Sequence, residues 1–143
     1  MPYPHRCSIE IDGMEVHAAS AHVGLKAPRD EHGQPEIGVL ETSIGVCLDL
    51  HDRRNVDFGT VSRLFELANR ATQDKIVDVS VRLWDDEDHT DVVAQFNFRG
   101  WICEWRADTP KRYTEAGEQN HELYLELQPE LDPDQLHRIV ISN

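Results

Sequence analysis

The stretch Leu40-Glu-Thr-Ser-Ile-Gly-Val-Cys-Leu-Asp-Leu50 alternates between two sets of side chains along its whole length. One set consists of Leu40, Thr42, Ile44, Val46, Leu48 and Leu50. The other set consists of Glu41, Ser43, Gly45, Cys47 and Asp49. Because successive side chains of a β-strand point to opposite faces, this period of two predicts a long strand with one buried face and one face toward water.

Other runs with the same alternation lie on both sides of this strand. Upstream, residues 7–12 and 14–18 flank Asp12-Gly13, a dipeptide typical of tight hairpin turns. Downstream, alternation returns in residues 75–84, 92–106, 122–128 and 138–142. These runs predict about seven strands with no βαβ alternation, and antiparallel strands at this spacing form a barrel or a sandwich.

One segment has a helical period instead. In residues 57–71 the apolar side chains recur three or four positions apart, at Phe58, Val61, Leu64, Phe65 and Ala68. Asn55 or Asp57 is the expected N-cap. The sequence therefore predicts one helix, whose apolar stripe we expect to pack in the core. With 143 residues, the chain is interpreted as a single domain over residues 1–143.

Residues 26–36 show no periodicity and contain two prolines, a glycine and five charged side chains. A loop of this length within a compact domain is uncommon, and it is usually functional or disordered. Its charges have both signs, which suits a docking arm on an acidic protein. A surface loop without a partner is the alternative interpretation.

The composition limits the classes of partner. Asp and Glu total 27 against 14 Lys and Arg, for a formal charge of −13, which argues against nucleic acid and anionic membranes as partners. No apolar run approaches the ~18 residues of a membrane span, and the first residues lack the pattern of a signal peptide. The three cysteines are far apart, so we expect no disulfide framework and a reducing cytosolic compartment.

Candidate catalytic and metal-binding patterns are weak. The acidic cluster Asp85, Asp86, Glu87, Asp88 and Asp91 lacks the glycine and glutamate spacing of a calcium loop, so a solvated hairpin tip is favoured. His17 and His22 are five residues apart and would point to opposite faces of a strand. No nucleophile motif occurs, and all three cysteines lie in predicted strands. We therefore expect no enzyme activity, no cofactor and no metal site.

The order of elements resembles that of the haemolysin-coregulated protein (Hcp) family, the tube subunits of type VI secretion systems, which are related to phage tail tube proteins. The resemblance covers residues 7–142. It rests on Ile9-Glu-Ile-Asp-Gly-Met14, the proline-containing loop 27–37, Phe96-Asn-Phe-Arg-Gly-Trp101 and Leu123-Tyr-Leu-Glu-Leu-Gln-Pro129.

This resemblance implies an antiparallel β-barrel with one flanking helix, six copies of which close into a ring. Stacked rings would form a tube that is expelled with its sheath, spike and effector cargo, so a cytoplasmic protein would leave the cell without a signal peptide. The polar face of the central strand, Glu41, Ser43, Cys47 and Asp49, would line the lumen or the outer wall.

The resemblance also gives the loop a role as the contact arm between subunits or rings. The arm consists of Ala27, Pro28, Arg29, Asp30, Glu31, His32, Gly33, Gln34, Pro35, Glu36 and Ile37. Arg29 and Glu31 are its preferred pairing residues.

Three other functions stay open at this point. The chain is alternatively the tail tube protein of a phage or a phage-derived contractile injection particle. It is alternatively a monomeric small-ligand-binding barrel with Trp84, Trp101 and Trp105 in its pocket. An enzyme on a barrel scaffold is the third alternative, and it would need a perturbed carboxylate or histidine in a cleft.

Overall fold

A computed structural model describes residues 6–34, 41–69, 75–86, 88–110, 120–130 and 139–142. The elements in chain order are β1 (Cys7–Ile11), β2 (Met14–Ala18), β3 (Ser20–Lys26), β4 (Glu41–Asp49), α1 (Phe58–Asn69), β5 (Val77–Trp84), β6 (Val92–Asp108), β7 (Glu122–Pro129) and β8 (Val140–Ser142). No helix in these ranges is long and apolar enough to cross a membrane.

All the strands belong to one antiparallel sheet with the order β2-β1-β5-β6-β7-β4-β3, and β8 pairs with β6 outside this path. The two end strands follow each other in the chain, separated only by Ala19, whose N–H donates to the carbonyl of Cys47 at 2.8 Å. Within the described residues no ladder joins β2 to β3. The resemblance predicted a closed barrel, whereas the described strands form an antiparallel sheet that this ladder does not close.

The strand count exceeds the prediction by one because Ser20–Lys26 also pairs, along its whole length, with β4. Ala21, Val23 and Leu25 do alternate with polar or small residues there, but the run is short and contains Gly24. The mostly-β class, the antiparallel pairing and the single flanking helix are confirmed for the described residues.

The core forms between the apolar faces of the two halves of the sheet. In one half, Ile44, Val46 and Leu48 of β4 lie opposite Leu127, Leu125 and Leu123 of β7, and all six are essentially inaccessible to solvent. In the other half, cross-strand pairs such as Ile9 with Val81 are equally buried. Directly opposed apolar side chains are the unit that stabilises such a sheet.

The helix packs against β6 through only part of its predicted stripe. Leu64 is fully buried, whereas Phe58 is 84% exposed and Phe65 is 47% exposed. The prediction that these two phenylalanines belong to the core is therefore wrong, because the helix contacts the sheet with the side that carries Leu64 and Leu67. Of the two expected N-caps, Asp57 is the one whose carboxylate accepts the N–H of Thr60, at 2.8 Å. Hydrogen bonds from the N–H and the side chain of Thr60 lower the pKa of Asp57.

Gly100 lies at the middle of β6, where the strand changes neighbours. It is opposite Val77 of β5 on one side and Pro129 of β7 on the other. A Cβ atom at this position would lie 2.4 Å from the carbonyl oxygen of Gln128 and 3.0 Å from Cε2 of Phe98. Only glycine lets the backbones of β6 and β7 approach this closely.

We expect Gly100→Ala to lower the free energy of unfolding by roughly 1–3 kcal/mol, because the added methyl group must displace the β7 backbone. Urea unfolding followed by circular dichroism measures the loss. Gly24→Ala is the matched control, since its Cβ would lie 3.8 Å from the nearest atom, the carbonyl oxygen of Ser43. Equal midpoints for the two variants would contradict this account of Gly100.

Candidate assembly surfaces

The sheet half formed by β3, β4, β7 and the end of β6 carries a polar surface, here called the wall face, on the side away from the core. The strand register assembles it in rows. Ser20, Cys47, Tyr124 and Arg106 form one row across the four strands, and His22, Gly45, Glu126 and Glu104 form the next. The predicted wall residues of β4 are therefore the middle of a surface four strands wide.

Three of the predicted wall residues share this surface. Glu41 lies opposite Lys26, and both are exposed. The hydroxyl of Ser43 lies 3.1 Å from Nε2 of His22. Cys47 is half-buried, and burial raises the pKa of its thiol.

The fourth predicted wall residue, Asp49, is placed differently. Its side chain is buried, and its carboxylate accepts hydrogen bonds from the N–H of His51 and the amide Nδ2 of Asn120, both at 2.9 Å. Next to it, the rings of His51 and His121 stack with a hydrogen bond of 2.8 Å between Nε2 and Nδ1. Asp49 thus ties the turn after β4 to the start of β7 and does not present its charge to solvent.

Gly45 leaves room for the side chains that cover the centre of the wall face. A Cβ there would lie 2.3 Å from Cε1 of His22 and 2.7 Å from the hydroxyl of Tyr124. The guanidinium of Arg106 lies 4.9 Å from the centre of the Tyr124 ring, within cation–π range. It also donates to Glu104 and Asp108 at 2.8 Å each. These contacts partly neutralise an acidic surface and hold its centre in place.

Two titratable side chains of the wall face, Tyr124 and Cys47, have raised pKa values. Burial, reinforced by Glu126 and Glu104, raises the pKa of Tyr124 above its usual range near 10. Burial likewise raises the thiol pKa of Cys47, so that both side chains stay protonated at pH 7. A nucleophile or general base needs the opposite shift or a partner base. Neither Tyr124 nor Cys47 meets this requirement through its own pKa.

The arm predicted at 27–37 is described up to Gln34, and Pro35, Glu36 and Ile37 lie outside the described residues. Its tip is a closed turn built on Asp30. The Asp30 carboxylate accepts the N–H groups of His32 and Gln34 at 2.9 Å, and the Asp30 N–H donates to the carbonyl of Gln34 at 2.8 Å. Arg29 and Glu31 are both exposed beside this turn. The arm thus presents both signs of charge from a defined turn.

An apolar surface lies on α1. Phe58 and Phe65 are exposed there, and Phe65 meets the edge of the Trp105 ring with 5.1 Å between ring centres. An open cleft of about 490 Å³ adjoins Phe58 and is lined by Leu50, Arg53, Val56, Asp57 and Val61. Exposed aromatic side chains beside a cleft are typical of contact surfaces.

The arrangement of strands and helix is shared with solved structures of tube proteins. A crystal structure of an Hcp protein matches with a TM-score of 0.62 and 11% identity, over 96% of this chain and 98% of that chain. Hcp1 from Flavobacterium johnsoniae matches with a TM-score of 0.56 and 13% identity, over 86% and 89% of the two chains. The chain has the Hcp fold.

The same fold occurs outside Hcp proteins. A sheath-tube complex of the PVC extracellular contractile injection system matches with a TM-score of 0.56 and 12% identity, over 96% of this chain and 88% of that chain. No family model matches the sequence, and no curated protein is significantly similar to it.

Part of these surfaces was predicted from the sequence. Alternation predicted the polar face of β4, and a run of mixed charges without periodicity predicted the arm. The prediction missed His22, Tyr124 and Arg106, because only the strand register puts them beside β4. It also assigned Phe58 and Phe65 to the core. The helical period shows that an apolar stripe exists, but it does not show how much of the stripe contacts the sheet.

We expect the three thiols to be alkylated in the order Cys103, Cys47, Cys7. Cys103 is exposed, whereas Cys7 is buried, donates to the carbonyl of Ala18 at 3.3 Å and has a pKa raised by burial to about 11. At about pH 9 an ordinary thiol is more than half ionised, but Cys7 stays protonated in the folded chain. Mass spectrometry of timed iodoacetamide reactions measures the order, and Cys103→Ser should remove only the fastest label. Labelling of Cys7 before Cys103 in folded protein would refute the assignment.

Proposed function

We propose that the chain is the structural subunit of the inner tube of a type VI secretion system, with six copies forming a ring and rings stacking into the tube. The observation that carries the proposal is the correspondence with an Hcp protein over 96% of this chain and 98% of that chain. The tube is assembled in the cytoplasm and then expelled from the cell.

The described surfaces suit this role physically. A tube wall needs a sheet with one face in its own core and the other in water, and the wall face supplies the second. A ring needs lateral contacts, and α1 supplies exposed Phe58 and Phe65 while the arm supplies Arg29 and Glu31. Apolar anchors give affinity, and paired charges fix the register of neighbouring subunits.

The partners follow from the same proposal. A sheath surrounds the tube, spike and baseplate proteins meet its end, and small effector proteins occupy the lumen. The PVC match gives specific support to a second candidate function, the tube subunit of a phage-derived contractile injection particle. Both candidates use the same ring and stacking contacts, and the genes next to this one separate them.

The ligand-binding barrel receives little support from the geometry. Trp84 donates from Nε1 to the hydroxyl of Ser8 at 3.0 Å in the first half of the sheet. Trp105 packs against Phe65 of the helix. Trp84 and Trp105 thus contact different elements, β1 and α1.

The purified chain should have a mass in solution near 98 kDa, which is 6 × 16.4 kDa, and should form ring-shaped particles. Light scattering on a sizing column and negative-stain images of the same peak test this. Arg29→Glu should shift the peak toward the monomer by reversing a charge on the arm. Arg54→Glu makes the same charge change at an exposed position outside the arm and should leave the ring intact. A wild-type chain that stays monomeric at high concentration would defeat the proposal.

Ring stacking should strengthen as salt is added. Each ring carries 6 × −13 = −78 formal charges, and stacked rings of like charge repel each other at low ionic strength. The screening length falls to about 10 Å at 0.1 M salt, which weakens this repulsion while buried apolar contacts persist. Sedimentation velocity across a salt series measures the fraction of stacked rings. Dissociation of stacks on addition of moderate salt would contradict the argument.

A further inference from the structure

Two histidines and a glutamate come together on the half of the sheet that does not contribute to the wall face. They are Glu15 and His17 on β2 and His89 in the turn between β5 and β6. One ligand atom from each lies within 4.8 Å of the other two, and the two imidazole ring centres are 4.2 Å apart. The cluster is separate from the arm and from α1.

The strand register explains why these residues meet. Glu15 and His17 are two positions apart, so they point to the same face of β2. Ser8 of β1 is opposite His17 on one side and Arg82 of β5 on the other. The end of β5 is therefore one strand away from His17, and the turn that follows brings His89 back over β1.

The turn itself is tightly held. Asp86 accepts hydrogen bonds from the N–H of Thr90 at 3.0 Å and from its hydroxyl. The N–H of Asp85 donates to the carbonyl of Asp91 at 2.9 Å. These bonds define the backbone around His89.

His89 has a backbone conformation that a side chain with a Cβ seldom adopts, with φ at +57°. Its imidazole stacks on the indole of Trp84 with 4.8 Å between ring centres and 4° between planes. The indole is oriented in turn by its hydrogen bond to Ser8. An unfavourable backbone conformation that holds a ring between Trp84 and His17 is the kind of local strain that marks functional positions.

We propose that Glu15, His17 and His89 bind a divalent transition metal ion of the zinc class. Two imidazole nitrogens and one carboxylate oxygen are a ligand set of Zn²⁺ and Co²⁺, whereas Ca²⁺ and Mg²⁺ take oxygen ligands. Three protein ligands leave a fourth position for water or another ligand. The expectation of no metal site came from the absence of a local motif, and His89 is too far from β2 in sequence to form one.

The geometry requires only a small adjustment. Bonds of about 2.0–2.1 Å to a tetrahedral ion put ligand atoms roughly 3.3 Å apart, so the side chains must close by up to about 1.5 Å from the present 4.8 Å. Glu15 is exposed and free to rotate toward the two rings. Arg82 competes weakly for its carboxylate, since Nη1 of Arg82 is 3.9 Å from Glu15 but Nη2 is 2.8 Å from Glu10. The neighbouring acidic side chains Asp85 and Asp88 favour a cation.

A metal ion here would attach the 85–91 turn to β2, an end strand of the sheet. The site does not rest on the proposed tube function, since it lies within one chain and needs no ring.

The test is a Co²⁺ titration of the full chain after treatment with a chelator, followed by visible absorption and by tryptophan fluorescence, with Zn²⁺ as competitor. We expect one Co²⁺ per chain, displaced by Zn²⁺, with quenching of Trp84. His17→Ala and His89→Asn should each weaken binding tenfold or more, and Glu15→Gln should weaken it less. Asn accommodates a positive φ, so His89→Asn removes the ligand while keeping the turn.

His22→Ala is the matched control, because it removes a histidine from the wall face and should leave the titration unchanged. Trp84→Phe should abolish the quenching component and retain the absorption change, which places the ion beside this ring. Thermal melts in chelator report whether each variant is folded. Saturation that is equal in the wild-type, His17→Ala and His89→Asn chains would overturn the proposal, and so would a folded wild-type chain that binds no Co²⁺ at millimolar concentration.

Discussion

β6 is hydrogen-bonded to β5 along residues 92–100 and to β7 along residues 100–108, and at Gly100 it is paired with both. Through this strand the three-stranded groups β2-β1-β5 and β7-β4-β3 become one sheet. The junction depends on a backbone approach that leaves no space for a Cβ atom at Gly100. Because β6 is continuous, it fixes the position of one half of the sheet, with its polar surface, relative to the other half.

The two halves joined by β6 carry different polar surfaces over one apolar core. The half with β4 has the wall face, whose centre is closed by His22 and Tyr124 above Gly45. The half with β5 has the histidine and glutamate cluster, together with a ladder of polar contacts such as Ser80 to Asn97 at 2.6 Å. The surfaces that we propose to contact other copies, on α1 and the arm, share no residue with the wall face or with the cluster. The three proposed roles of wall, subunit contact and ion site therefore use different residues.

Alternation in the sequence was sufficient to predict β4, β5, β6 and β7, because each has one face in the core and one face in water. It was insufficient for β3, which contains Gly24 and borders a strand with a much stronger pattern. Alternation could not predict which residues of different strands lie side by side, because that depends on the register between strands. The rows of the wall face and the meeting of His89 with His17 follow from pairings between strands far apart in sequence, and a single sequence carries no local record of them.

The same long-range pairing determines the order in which the chain can fold. Ile9 of β1 is opposite Val81 of β5, and β5 pairs in turn with β6, so β1 lacks its second strand partner until more than half of the chain has been synthesised. Such non-local topologies fold slowly, and their strand edges stay exposed in the meantime. In the nascent chain, one edge of the N-terminal hairpin therefore stays unpaired until β5 emerges. Residues 1–76 carry 12 acidic and 8 basic side chains, a formal charge of 8 − 12 = −4 out of the final −13, so mutual repulsion between incomplete chains stays weak until the acidic second half is added.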